Sequence, residues 1–162
     1  MAKPIKKQGK PADLIVAQNR AASYNYHLLE RLEAGLVLLG TEVKSLREGK
    51  ANLRDAYAVI RGGEVWLLNS HIGEYLPGGA QNHSPLRSRK LLLHKEEIEK
   101  LARKTDQKGL TLVPLKIFFK DGMAKCEIAL AQGKKKWDRR QTERDKETKR
   151  EVGEALREFR RR

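Results

Sequence analysis

The sequence predicts a mainly β protein, an OB-like closed antiparallel β-barrel with two or three short flanking helices and a C-terminal tail. Three observations predict it. Residues 56–60 and 65–72 are rich in β-formers and are joined by Arg61-Gly62-Gly63-Glu64, where two glycines supply the positive φ of a tight hairpin. A second hairpin pairs 110–119 with 123–131 around Lys120-Asp121-Gly122, with Leu115, Ile117 and Phe119 alternating on one side. Finally, 162 residues with 39% hydrophobic content suffice for one modest core and not for two.

Taken in order, residues 1–12 lack apolar periodicity and read as a disordered basic arm, followed by a folded domain over 13–132 and a basic tail over 133–162. Asn19 is placed to cap a short helix over 20–26, after which an extended segment runs to Gly35. Leu36-Val37-Leu38-Leu39 reads as a buried strand, and 41–47 as one or two helical turns capped by Thr41 and stopped by Gly49. The connection 73–89 holds Pro77, Gly78, Gly79, Asn82 and Pro85, and a loop of that length is more often functional or mobile than structural. Ile98 and Leu101 share one face of a helix over 95–105. Pro114 should weaken its strand or place it at an edge.

In the tail, Val152, Ala155, Leu156 and Phe159 fall at i, i+3, i+4 and i+7, a stripe by which a helix can dock. Little else there can be buried, and Gly153 costs a helix up to about 1 kcal/mol. The expectation is a tail disordered when free and helical when bound.

Composition narrows the function. A formal charge of +14 points to a polyanionic partner, with nucleic acid ahead of an anionic membrane. No run could span a bilayer as a helix, and Leu14-Ile15-Val16-Ala17 is too short for a signal-peptide core, so a cytoplasmic protein is expected. His27, His71, His83 and His94 show no metal-ligand spacing with one another or with the lone Cys126, so neither metal nor cofactor is expected. No nucleophile elbow, phosphate loop or paired-carboxylate motif stands out, and the chain reads as a non-enzyme.

Three features carry a binding reading beside a plain one. Arg87-Ser88-Arg89-Lys90 is either a solvated charged loop or a phosphate-binding cluster. Glu33, an acid in a basic protein, is either an ordinary surface glutamate or an acceptor for RNA base and sugar groups. Trp137 sits among cations in Gly133-Lys134-Lys135-Lys136-Trp137-Asp138-Arg139-Arg140 without apolar neighbours at strand or helix spacing, which suits stacking on a base better than packing in a core.

Five segments together resemble a known family. They are Leu32-Glu33-Ala34-Gly35, the stretch 40–53 containing Glu42-Val43-Lys44-Ser45-Leu46-Arg47, the stretch 85–94 containing Arg89-Lys90-Leu91-Leu92-Leu93-His94, Val113-Pro114-Leu115, and Gly133-Lys134-Lys135. In this order they are similar to the SsrA-binding protein (small protein B) family of bacterial trans-translation, from about Leu14 to Arg140. The resemblance implies an OB-like barrel that binds the tRNA-like domain of transfer-messenger RNA. It also implies entry into stalled ribosomes with that RNA charged by alanyl-tRNA synthetase and carried by elongation factor Tu, both indirect partners. The tail is then expected against small-subunit rRNA in the decoding centre and in the empty mRNA channel. A monomer that binds no membrane is expected.

By matched position, the resemblance implies Asn19, Glu33 and Leu92 as residues facing the RNA, with Lys44, Arg89, Lys90 and Lys125 as neighbours, and places Tyr57 at a family position. It places Gly133, Lys134, Lys135, Trp137, Asp138, Arg139 and Arg140 in the decoding segment, and Val152, Leu156 and Phe159 in the channel. Trp137 departs from the family's usual His or Tyr, which keeps a stacking plane, and 21–26 departs from a commoner basic version. The competing reading is a generic OB-fold ribosomal or initiation-factor-like RNA-binding protein.

Overall fold

Gly62 and Gly63, both at positive φ, turn strand β4 (Tyr57–Arg61) back as β5 (Glu64–Leu68), and Asp121 and Gly122, also at positive φ, turn β8 (Leu110–Lys120) into β9 (Met123–Gly133). Both predicted hairpins are therefore present. The structure is a computed structural model that describes residues 13–107 and 109–161; the predicted arm 1–12 lies outside them. The remaining strands are β1 (Leu14–Gln18), β2 (Tyr26–Leu36), β3 (Ala51–Asn52), β6 (His71–Ile72) and β7 (Arg89–Leu92). Seven strands form one sheet in the order β1-β8-β4-β5-β7-β2-β9, with a further β8–β9 pairing, and β3 pairs with β6. All of these pairings are antiparallel.

The strand period explains two apolar clusters. Leu112, Ile117, Ile128 and Leu130 point into the main core with Leu36, Val65, Leu67 and Leu91, while their alternates Val113, Leu115, Ala129 and Ala131 point outward. The outward set is covered by Ala22 of helix α1 (Ala22–Asn25) together with Tyr26 and Leu28. β8 is not at an edge, contrary to the expectation from Pro114: it pairs with β1, β4 and β9, and the proline is accommodated where the register shifts between Pro114 and Lys116. Helix α3 (Lys95–Thr105) has the predicted bounds and buries Leu101.

Elsewhere local chemistry corrects the sequence reading. Asn19 does not cap α1; its Nδ2 donates to the Pro114 carbonyl at 3.1 Å and its N–H to the Leu115 carbonyl at 2.7 Å, tying β1 to β8. The strand ends at Leu36, leaving Val37 and Leu39 exposed, because helix α2 (Gly40–Arg47) begins at once. Glu42 reaches back to accept the Leu39 N–H at 2.8 Å, so the glutamate in the first turn, and not Thr41, closes the helix start. Thr41 instead contacts His83: its hydroxyl meets Nδ1 and the Ile72 carbonyl meets Nε2, each at 2.9 Å. A carbonyl can only accept, so Nε2 carries the proton. The connection 73–89 is thus pinned: Asn82 also bonds both the N–H and the carbonyl of Tyr75, and 76–81 forms a short 3-10 segment.

The tail differs most. Lys136–Arg161 is one continuous helix, α4, where the sequence predicts helix only on binding. Its start is secured, since Asp138 accepts the Lys135 N–H at 3.1 Å and Tyr24 donates to Glu143 at 2.7 Å; farther out, Arg150 pairs with Glu154 across one turn at 3.3 Å.

Candidate nucleic-acid interface

Antiparallel register brings three distant residues into one row across the outer face of the sheet. Leu92 on β7 is the partner of Gly35 on β2, and Gly35 is the partner of Lys125 on β9. With no side chain at Gly35, the side chain of Leu92, 53% exposed, leans over its bare backbone, with Lys125 on the other side. A Cβ at Gly35 would come 3.2 Å from the Leu92 Cβ. Leu92 and Gly35 line a cleft of about 280 Å³ with Leu38, Val43, Met123 and Lys125.

Glu33 lies two residues along β2 from Gly35, on the same face. Lys125 donates to its Oε1 at 2.6 Å and Lys120 stands 3.3 Å from its Oε2. The hydrogen bond from Lys125 holds this carboxyl below its ordinary pKa against a smaller opposing effect of desolvation, with Lys120 assisting. Glu33 is ionised, accepts only, and keeps lone pairs beyond those its lysines occupy.

A second cleft of about 230 Å³ runs from Glu33 past Arg31, Lys116 and Glu127, and a third of about 390 Å³ continues past the same three residues to Asn19. Asn19, Glu33, Lys125 and Leu92 therefore share one grooved surface, although its sequence segments are far apart. Arg31 and Lys116 line the groove between them and Lys120 flanks Glu33; the sequence reading missed all three. Gly35 was also missed as a site residue, although a glycine inside a strand signals close backbone approach.

Arg89 has a different place. It is fully buried, its Nε 2.9 Å from Glu42 Oε1, and its other nitrogens donate to the Ser70 carbonyl, the Ser70 hydroxyl and the Pro85 carbonyl. It cannot reach RNA, which corrects the expectation for it; a guanidinium this deep is a strut. Arg87 joins the same glutamate at 2.7 Å through its Nη2. Burial opposes ionisation of Glu42, but the hydrogen bonds from Arg87 and the Leu39 N–H and the charges of both arginines outweigh it, and the carboxyl lies below its usual range. Lys90 shares the outer face of β7 with Leu92 but pairs with Glu64 at 2.5 Å, and Lys44 stands 5.3 Å from the Tyr75 ring centre. Burial pushes the Cys126 thiol up to about 12, so it is an inert core group.

Residues 133–140 divide between half-buried contacts and solvent. Gly133 ends β9 opposite Tyr26. The Lys134 N–H bonds the Asn25 carbonyl, and its ammonium bonds the Ser23 carbonyl and the Thr142 hydroxyl at 2.9 Å each. Asp138 closes the first turn of α4 and lies 3.6 Å from His27. Lys134 and Asp138 thus root the tail, whereas Lys135, Arg139 and Arg140 face solvent and Trp137 is 67% exposed. Val152, Leu156 and Phe159 are exposed along α4. Among the described residues no helix is long and apolar enough to cross a membrane.

An ionised acceptor flanked by lysines on a grooved β-sheet face, beside a cationic helix bearing an exposed indole, defines a β-sheet protein of the polyanion-binding class. Comparison with known proteins specifies it further: the family model described as SmpB protein matches residues 16–158, and the chain belongs to that family. It is 54% identical over 155 residues to the SsrA-binding protein of Trichodesmium erythraeum, covering 95% of this chain and 99% of that one. To the SsrA-binding protein of Streptomyces avermitilis it is 56% identical over 142 residues, 88% of this chain and 80% of that one. A solved structure described as "tmRNA-SmpB: a journey to the center of the bacterial ribosome" superposes with a TM-score of 0.63 at 51% identity, covering 74% of this chain and 84% of that one.

Proposed function

We propose that the protein is a non-enzymatic RNA-binding adaptor of trans-translation. It binds the tRNA-like domain of transfer-messenger RNA and takes that RNA to stalled ribosomes, where its tail occupies the decoding centre and the empty mRNA channel. The observation that carries this reading is the groove from Asn19 past Glu33 to Leu92, in a chain whose relatives are SsrA-binding proteins. The β8–β9 pairing that returns the sheet on itself supports reading the domain as a closed OB-like barrel. Lysines and arginines along the groove neutralise phosphates while Glu33 accepts from base or sugar donors. The groove and α4 are separate surfaces, so one serves the RNA and the other the ribosome, with Lys135, Trp137, Arg139 and Arg140 the exposed decoding set. Elongation factor Tu and alanyl-tRNA synthetase meet the protein only through the RNA, and the adaptor works as a cytoplasmic monomer.

Capture of the tagged protein from bacterial lysate, followed by sequencing of bound RNA, tests this reading. One abundant small RNA is expected, and binding that falls steeply with salt as counterions are released. Recovery of rRNA alone would favour a generic ribosomal protein and overturn the adaptor reading.

A further inference from the structure

We infer that Tyr24 and Glu143 are positioning residues for the tail: their contact closes a two-point joint that fixes which side of α4 is offered to the ribosome, and in which direction. The inference rests on the tail being the ribosome-facing surface and adds what aims it. Between residues 134 and 152 only Lys134, Asp138 and Thr142 are half-buried, and they recur every four residues, so a single face of the tail lies against the domain. That face is held at its root by Lys134, whose ammonium bridges the Ser23 carbonyl and the Thr142 hydroxyl at 2.9 Å each. Tyr24 ties the helix a second time, donating to Glu143 at 2.7 Å, about 12 Å farther along the axis than Lys135. One attachment leaves a helix free to swing about it. Two at that separation fix its direction and its rotation about its own axis.

The rotation decides what faces outward. At about 100° per residue, Trp137, Arg140 and Arg144, spaced i, i+3 and i+7, share a side nearly opposite to Asp138 and Thr142, and all three are exposed. An indole and two guanidiniums in one line offer a base a stacking plane and its neighbouring phosphates two cations. Helix α1 also relates this aim to the RNA. Ala22 and Ser23 line the cleft of about 390 Å³ that holds Asn19, while the Ser23 carbonyl and the Tyr24 hydroxyl hold the tail. One turn of helix therefore touches both surfaces, and the tail leaves the domain at an angle fixed relative to the groove.

Paired spin labels test this in the full chain. Cys126 is sealed in the core, so cysteines introduced by Arg61→Cys and Lys146→Cys, both at exposed positions, take the labels selectively. The label-to-label distance by pulsed electron resonance should be one narrow population in this parent and broad in Tyr24→Phe, which loses only a hydroxyl. Glu143→Ala should broaden it likewise, whereas Glu143→Gln retains an acceptor oxygen and should keep the narrow population. Without labels, Tyr24→Phe should lower peptide tagging on stalled ribosomes by about three- to tenfold, the scale of one hydrogen bond, with transfer-messenger RNA affinity and melting temperature unchanged. Adding Glu143→Ala to Tyr24→Phe should lower tagging no further. An unchanged distance distribution in Tyr24→Phe overturns the joint. Broadening with full tagging overturns the positioning role, and a loss of RNA affinity that matches the loss of tagging makes Tyr24 an RNA contact instead. A wild-type protein that binds no small RNA and supports no tagging overturns the adaptor reading and the aiming role with it, while the distances still report whether the joint exists.

Discussion

Glu42 Oε1 stands 2.9 Å from Arg89 Nε with both side chains sealed from solvent, and the same carboxylate takes two bonds from the half-buried Arg87. This ion triad clamps α2 to β7 and to the end of the 73–89 connection. Breaking a buried pair by removing one partner leaves an uncompensated charge, at about 3 to 5 kcal/mol. Glu42→Gln should therefore lower unfolding stability by that order in urea titrations. Arg87→Met should lower it by only about 1 kcal/mol, because Arg87 keeps access to water. If Arg89→Met weakens RNA binding without destabilising the fold, Arg89 is a contact after all and its reading as a strut fails.

The same carboxylate sets an acid limit. Its folded pKa lies below the ordinary 4.5, so its stabilisation is fully present above that value and is lost as pH falls through the folded pKa. Wild type should lose stability more steeply than Glu42→Gln on acidification below about pH 4.5, measured by thermal melts across pH. Parallel curves for the two proteins would show that Glu42 does not titrate as its surroundings dictate.

Gly133 and Gln132 pair with β2, and the Lys134 N–H bonds Asn25, so the folded domain continues past Ala131. Truncation after Lys135 should leave transfer-messenger RNA affinity nearly intact while abolishing peptide tagging on stalled ribosomes. Truncation after Ala131 should also cost stability, seen as a lower melting temperature. Equal loss of RNA binding and tagging in the longer truncate would refute the division into two surfaces.

Trp137 presents its indole to solvent from the first turn of α4, with Lys135, Arg139 and Arg140 as solvent-facing cations close to it in the chain. Base stacking is worth about 1 to 3 kcal/mol per base. Trp137→Ala should lower tagging by roughly tenfold or more on that scale, whereas Trp137→Tyr should retain most of it. Alanine and tyrosine variants that behave alike would exclude stacking.

What the sequence made legible divides along physical lines. Period-two alternation and paired turn residues at 61–64 and 120–122 marked both hairpins, because those signals are local. The Glu42–Arg89 pair was not legible, since a buried arginine and a solvated one look alike until a fold joins positions 42 and 89. Pro114 misled for a related reason: a bulge absorbs its missing donor inside a sheet, and bulges depend on the partner strands. Leu92 and Lys125 came through resemblance and Glu33 through its charge context as well, while the row that sets Leu92 and Lys125 on either side of Gly35 required the register of three strands.

The tail poses the sharpest contrast between composition and structure. At 26 residues α4 is about 39 Å long, yet its hydrogen bonds to the folded domain, among the described residues, end at Glu143. Beyond that point only intrahelical bonds and pairs such as Arg150 with Glu154 hold it, and an isolated helix in water is marginal. The first turns, rooted by Asp138, Thr142 and Glu143, should resist amide hydrogen exchange, while amides beyond about residue 149 exchange near the rate of an open chain. Gly153 sits inside this outer stretch with open space where a Cβ would stand, so Gly153→Ala should stabilise the helix by up to about 1 kcal/mol and raise helical circular dichroism. If entry into the mRNA channel requires the outer turns to form, that variant should also increase tagging, because it lowers the ordering cost met on binding. Uniform protection along the whole of α4 in the free protein would show a helix already complete and leave no folding step for the channel to drive.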